Sequence, residues 1–128
     1  MKLYWRIPPE VYDPLHAEFN FDFDPCPNPR PENFDGLVAD WGMRNWINPP
    51  FTGGVMKWLR RAIAEQAKGK LSVIILPTYQ VRATAVLDMA KAEVRYIGLV
   101  RWLALDDMTP NPCKQQDLQP CIVFILRP

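Results

Sequence analysis

Apolar positions along the chain change period several times, and each change marks an element. Pro8-Pro9-Glu10 predicts a helix start, because proline suits the first helical turn and an acid there complements the dipole. The helix should run to about Phe19, with a kink at Pro14. Phe19, Phe21 and Phe23 then alternate with Asn20, Asp22 and Asp24, the period-two pattern of a strand with one buried face. Pro25, Pro27, Pro29 and Pro31 exclude regular structure and leave a loop to about Gly36. Asn45-Trp46-Ile47 reads as a short buried strand that stops at Asn48-Pro49-Pro50. Thr52 is expected to cap a helix from Gly53 to Lys68, closed by Gly69. Val55, Leu59, Ala62, Ile63 and Ala67 share one face of it, with the basic residues largely elsewhere.

Leu71–Leu76 is an unalternated, β-branched run, the mark of a central strand buried on both faces, and Pro77 ends it. A helix over about Arg82–Ala92 follows, then strands at Val94–Ile97 and Val100–Ala104. A polar loop, Asp106–Pro120, precedes a last strand at Cys121–Leu126. Strands that alternate with helices imply a parallel sheet sandwiched between helices, joined by right-handed crossovers. The last strands lack a helix between them, so an antiparallel pair should finish the sheet. The expectation is an α/β fold of about six strands in one domain over residues 1–128.

Composition narrows the class. With 48% apolar and 23% charged residues the chain reads as an ordinary soluble globular protein. Its longest aliphatic run, Val73–Leu76, falls far short of the roughly 20 residues of a membrane helix, so no membrane partner is expected. Arg6 interrupts any apolar stretch behind Lys2, which argues against a signal peptide. Three widely spaced cysteines, Cys26, Cys113 and Cys121, argue against a disulfide framework and for the cytoplasm. None of their spacings, with or without His16, is that of a zinc knuckle, so no metal is expected; buried thiols and a helix-face histidine fit better.

The net charge of +1 hides an asymmetry. Residues 1–40 carry three basic against eight acidic side chains, whereas 53–82 hold Lys57, Arg60, Arg61, Lys68, Lys70 and Arg82 against Glu65 alone. Such a basic middle suits either a polyanion or a solvated helix face.

In open parallel sheets, ligands bind beyond the carboxyl ends of the strands. Three turns should share that edge: Asp24-Pro25, Asn48-Pro49-Pro50-Phe51 and Pro77-Thr78-Tyr79. Pro49 and Pro50 stiffen their turn and remove its N–H donors, leaving the Asn48 side-chain oxygen and the Pro49 carbonyl as acceptors. Two adjacent acceptors suit an exocyclic amino group, and Phe51 can lie flat on a planar ring. The same residues would also serve simply to turn the chain after a strand.

At these residues the sequence resembles the phage-type DNA N-6-adenine methyltransferases. The resemblance lies in Trp5–Tyr12, Leu15–Phe19, Phe23-Asp24-Pro25-Cys26, Asp35-Gly36-Leu37 with Asp40-Trp41, Asn48–Phe51, Trp58, Ala62 and Leu76-Pro77. It implies methyl transfer from S-adenosylmethionine to adenine N6 in DNA. Asn48, Pro49, Pro50 and Phe51 match the catalytic motif. Asp24 and Pro25 match the segment near the methionine end of the cofactor, and Pro8 and Pro9 the segment that walls its site. Ile7 stands where threonine is usual and Phe51 where tyrosine is commoner; after Leu76-Pro77, where an Arg-Thr-Asp-Thr-like run is frequent, Thr78–Val81 intervenes before Arg82, and Val100 precedes Arg101 where glycine is usual. No Gly-x-Gly occurs and only 23 residues separate Asp24 from Asn48, so the implied fold is a shortened Rossmann-like methyltransferase. It should be a three-layer sandwich with a mostly parallel sheet and an antiparallel C-terminal strand.

Lys57, Arg60, Arg61, Arg82 and Lys114 are the candidate DNA contacts, and Trp41 and Trp102 are candidates to line a pocket. A chain this small leaves little room for a DNA-reading domain, which makes a homodimer an attractive arrangement. If the gene is viral, the host cytoplasm is the expected compartment. Two other readings stay open: methylation of another amine or amide, such as a protein glutamine, and a non-catalytic nucleic-acid-binding remnant.

Overall fold

The computed structural model describes residues 5–50, 54–104 and 119–128. Phe51, Thr52, Gly53, Cys113, Lys114 and most of the 106–120 loop therefore lie outside the described residues. The elements are β1 (Trp5–Arg6), α1 (Pro9–Phe19), β2 (Arg44–Ile47), α2 (Val55–Gln66), β3 (Leu71–Pro77), α3 (Val81–Met89), β4 (Glu93–Val100), β5 (Leu103–Ala104) and β6 (Gln119–Leu126).

The main sheet has the order β2-β3-β6-β4. β2 and β3 run parallel, and β6 runs antiparallel to both β3 and β4, so β4 is again parallel to β3. The last strand thus fills the interior of the sheet instead of finishing an edge. Ser72–Pro77 of β3 are all buried, as expected for a strand covered on both faces. Val73 and Ile75 share one apolar cluster with Leu15 and Phe19 of α1; Ile74 and Leu76 share another with Leu59 of α2 and Leu87 of α3. One helix on one face and two on the other make three layers.

Several expected elements are redrawn. The strand expected over Phe19–Phe23 reduces to a single parallel bridge, Phe23 to Asn45. α1 runs through Pro14 to Phe19, and Asn20 ends it in the left-handed region at φ 52°. The Asp22 carboxylate then accepts hydrogen bonds from the backbone N–H groups of Met43 and Arg44, taking the place of ladder partners. Phe21 joins the α1 side of the sheet while Phe23 joins the α2 side.

Gly54, at φ 127°, stands at the start of α2 where Thr52 was expected, and supplies no side-chain cap. Gly69, at φ 86°, follows the helix end at a conformation that glycine adopts without strain. The two strands expected over 94–104 are one long β4, bulged near Gly98, and a separate β5 that pairs antiparallel with β1.

Candidate active site

Parallel pairing sends Phe23 and β2 out of the sheet in the same direction. Asp24 follows the first and Asn48 the second. Both open into one cavity of about 470 Å3. β1, the link after it and the first turns of α1 supply Arg6, Ile7, Pro9, Tyr12 and Asp13; the 26–28 loop supplies Cys26, Pro27 and Asn28; β2 supplies Trp46. That volume lies within the roughly 300–1,000 Å3 of small-molecule sites.

Two of the three expected turns therefore meet. The Pro77–Tyr79 turn leaves the same edge of the sheet but does not line the cavity. Pro9 lines it, whereas Pro8 is buried and accepts the N–H groups of Val11 and Tyr12 at 3.0 and 3.1 Å, opening α1. Pro25 is likewise buried behind Asp24, Pro49 is buried behind Asn48, and Pro50 is exposed. All three of Trp41, Trp46 and Trp102 are core residues, and of these Trp46 also borders the cavity.

The electrostatics of the cavity centre on Asp24. Burial pushes its carboxyl up to about 6 from an ordinary 3.8, against the opposing pull of a Cys26 N–H bond at 2.8 Å and of Arg6. A carboxylate with so little compensation is short of a cation. Tyr12 is raised by burial and by the charges of Asp24 and Asp13, so it remains a hydroxyl donor. Its ring stands edge-on to Trp46 at 5.4 Å, and together they give the cavity an aromatic wall. Burial and Asp24 push the Cys26 thiol far up, which rules out a thiolate nucleophile there at neutral pH. His16 sits one turn behind Tyr12, stacked on it, with Nδ1 accepting the Phe21 N–H at 3.2 Å. It braces the wall and does not line the cavity.

The basic residues divide into two groups. Lys57 and Arg60 on α2 and Arg82 on α3 are exposed, and both helices begin at the edge of the sheet that carries the cavity. Lys57 is near enough to lower Cys26 electrostatically. Arg61 differs: its three nitrogen positions donate to Glu65 Oε1 and to the carbonyls of Leu37 and Ala39 at 2.6–2.8 Å. Lys68 and Lys70 also pair with Glu65. Half of the basic stretch is thus committed within the chain, Arg61 most fully.

Arg6, Tyr12 and Trp46 were not singled out from the sequence, although a signal existed for Trp46. Side chains alternate along a strand, so once Asn48 faces the cavity, the residue two before it faces the same side.

The family model for DNA N-6-adenine-methyltransferase (Dam) matches residues 1–128. No curated protein and no solved structure matches the chain.

Proposed function

The chain belongs to the DNA N-6-adenine-methyltransferase (Dam) family, and from that premise we propose that it transfers the methyl group of S-adenosylmethionine to the N6 amine of an adenine extruded from DNA. The observation that carries the reading is the opening of Asp24 and Asn48 into one cavity. A cation-deficient carboxylate, the Arg6 guanidinium, the Tyr12 hydroxyl and an aromatic wall suit a ligand with cationic, anionic and planar parts. S-adenosylmethionine has all three, and when bound it supplies an electrophilic methyl carbon on a sulfonium. Asp24 would face its cationic methionine end and Arg6 its carboxylate.

The Asn48 corner does the rest. Its side-chain oxygen and the Pro49 carbonyl accept the two N–H bonds of the amine, and the proline pair holds them still. Those bonds bias the nitrogen lone pair away from the ring and toward the methyl carbon. Attack of that nitrogen on the methyl carbon would release S-adenosylhomocysteine, and the proton then lost from the methylated amine would pass to water, so the chain need hold no strong base. Rate enhancement comes chiefly from in-line positioning. Extruding adenine costs a few kcal/mol; Phe51 stacking, worth ~1–3 kcal/mol per base, offsets it. Lys57, Arg60 and Arg82 at the phosphates add to that. We read the sheet, with its antiparallel last strand, as a shortened Rossmann-like methyltransferase fold.

Tritiated methyl transfer to DNA followed by nucleoside analysis tests the proposal, and label in N6-methyladenine is the expected result. Label in a protein glutamine would favour the other amide reading. Calorimetry showing no heat with S-adenosylmethionine would leave only a non-catalytic remnant.

A further inference from the structure

A buried set of charge contacts lies outside the cavity, at the end of α2. Glu65 is 1% exposed yet holds three cations: Arg61 Nε at 2.8 Å and Lys68 Nζ at 3.2 Å on one oxygen, Lys70 Nζ at 2.8 Å on the other. Burial pushes this carboxyl upward, but hydrogen bonds from Lys70, Arg61 and Lys68 outweigh it and hold the group at about 2. It is therefore charged at any working pH.

Two of the three cations reach past Glu65 to the backbone of residues 37–41. Arg61 Nη1 donates to the Leu37 carbonyl at 2.6 Å and Nη2 to that of Ala39 at 2.8 Å; Lys70 Nζ donates to that of Trp41 at 2.9 Å. Three alternate carbonyls are gripped by two cations that share one buried carboxylate. The Arg61 guanidinium also covers the Trp41 ring at 5.1 Å. Trp41 Nε1 in turn donates to the Gly36 carbonyl at 2.7 Å. Gly36 lies so close to Pro25 that a Cβ there would stand 1.8 Å from the Pro25 oxygen. The next residue back is Asp24.

An i,i+4 pair that merely supported the helix would need only Arg61 and Glu65. The grip on 37–41 does more. α2 begins at Val55, soon after Asn48 in the chain, and its last turns hold the 37–41 segment that backs Asp24. We infer that Glu65, Arg61 and Lys70 are positioning residues for the methyl-donor site: their clamp on residues 37–41 sets, through Trp41 and Gly36, where Asp24 stands relative to Asn48. The inference rests on the proposed reaction only for the identity of the ligand.

The test uses the full chain and three variants. Glu65→Gln removes the shared charge. Arg61→Lys keeps the charge but cannot span two carbonyls, because an ammonium lacks the guanidinium fork. Trp41→Phe keeps every charge and removes one donor, so it carries the test should the others fail to fold. Carbon-13 titration of the Asp24 carboxyl reads the site without any ligand, and calorimetry with S-adenosylmethionine reads its affinity. Folded variants should move the Asp24 midpoint from about 6 toward 3.8 as water reaches it. They should also bind S-adenosylmethionine on the order of tenfold more weakly, a loss of about 1.4 kcal/mol, with donor-free DNA binding kept. An unchanged Asp24 midpoint in folded variants overturns the inference, even if their melting temperature falls. Weakened DNA binding with an unchanged midpoint overturns it too and returns Arg61 to the phosphates. If the unaltered protein shows no heat with S-adenosylmethionine while the variants still shift Asp24, the clamp stands and the proposed reaction fails.

Discussion

Replacing Asp24 with asparagine should make the protein more stable and less able to bind its donor. Burial pushes the carboxyl up to about 6 in the folded chain from an ordinary 3.8. That difference corresponds to about 3 kcal/mol of native-state destabilisation once the group is ionised in both states. The sign follows from proton counts. Between pH 4 and 6 the folded chain binds more protons at this site than the unfolded chain, so stability falls as pH rises through that window and levels off above about 7. Asparagine cannot ionise and still offers an oxygen to the Cys26 N–H. The variant should therefore gain up to about 3 kcal/mol at pH 8, about 1.5 kcal/mol at pH 5, and little below pH 3.8. Urea unfolding at these pH values measures the gain directly. Removing a charge-assisted hydrogen bond worth about 1.5–3 kcal/mol should weaken S-adenosylmethionine binding by roughly tenfold to a hundredfold. A variant that loses stability at every pH, or whose gain is the same at pH 5 and pH 8, would refute the assignment of a strained, cation-seeking carboxylate.

Asn48→Ala should abolish methyl transfer while keeping most S-adenosylmethionine affinity; near-normal turnover would contradict its role at the amine. Neutralising Lys57, Arg60 and Arg82 together should flatten the salt dependence of DNA binding, by about 0.9 in log–log slope for each phosphate that is no longer neutralised. A slope equal to that of the unaltered chain would place the DNA elsewhere. Gly36→Ala puts a methyl group into the Pro25 backbone, and should cost about 3 kcal/mol of stability or more in chemical denaturation. In unaltered protein, donor affinity should fall as pH drops through about 6, because Asp24 must ionise to meet a cation. Calorimetry in buffers of different ionisation enthalpy reads the released proton.

The residues differ in how much of this they disclose in advance. β3 was legible because burial on both faces leaves a continuous Val-Ile-Ile-Leu run that no helix or half-exposed strand explains. The Asn48 corner was legible because a proline pair after a short apolar run both stops a strand and removes donors. The phenylalanine alternation misled, since a single left-handed residue at Asn20 turned the chain before a ladder could form. Asparagine is a common residue at such helix ends, so local chemistry competed with the period-two pattern and won. Charge was visible but its use was not. Arg60 and Arg61 are adjacent and alike in sequence, yet only Arg61 lies on the side of α2 that meets 37–41. Glu65 four residues on was the one local hint. The grip on distant carbonyls depends on how the 24–41 excursion folds back, which no short pattern encodes.

The placement of β6 between β3 and β4 bears on how the protein comes to exist at all. During synthesis β3 and β4 leave the ribosome with no partner for the edges they will later share with β6, and they stay so until the last strand emerges. Half-made chains therefore offer two sticky edges to one another, and crowded polysomes should favour tangling over maturation. Split between 104 and 119, the two pieces should each be unstructured alone and should regain activity on mixing, with the short piece threading home as a peptide wedge.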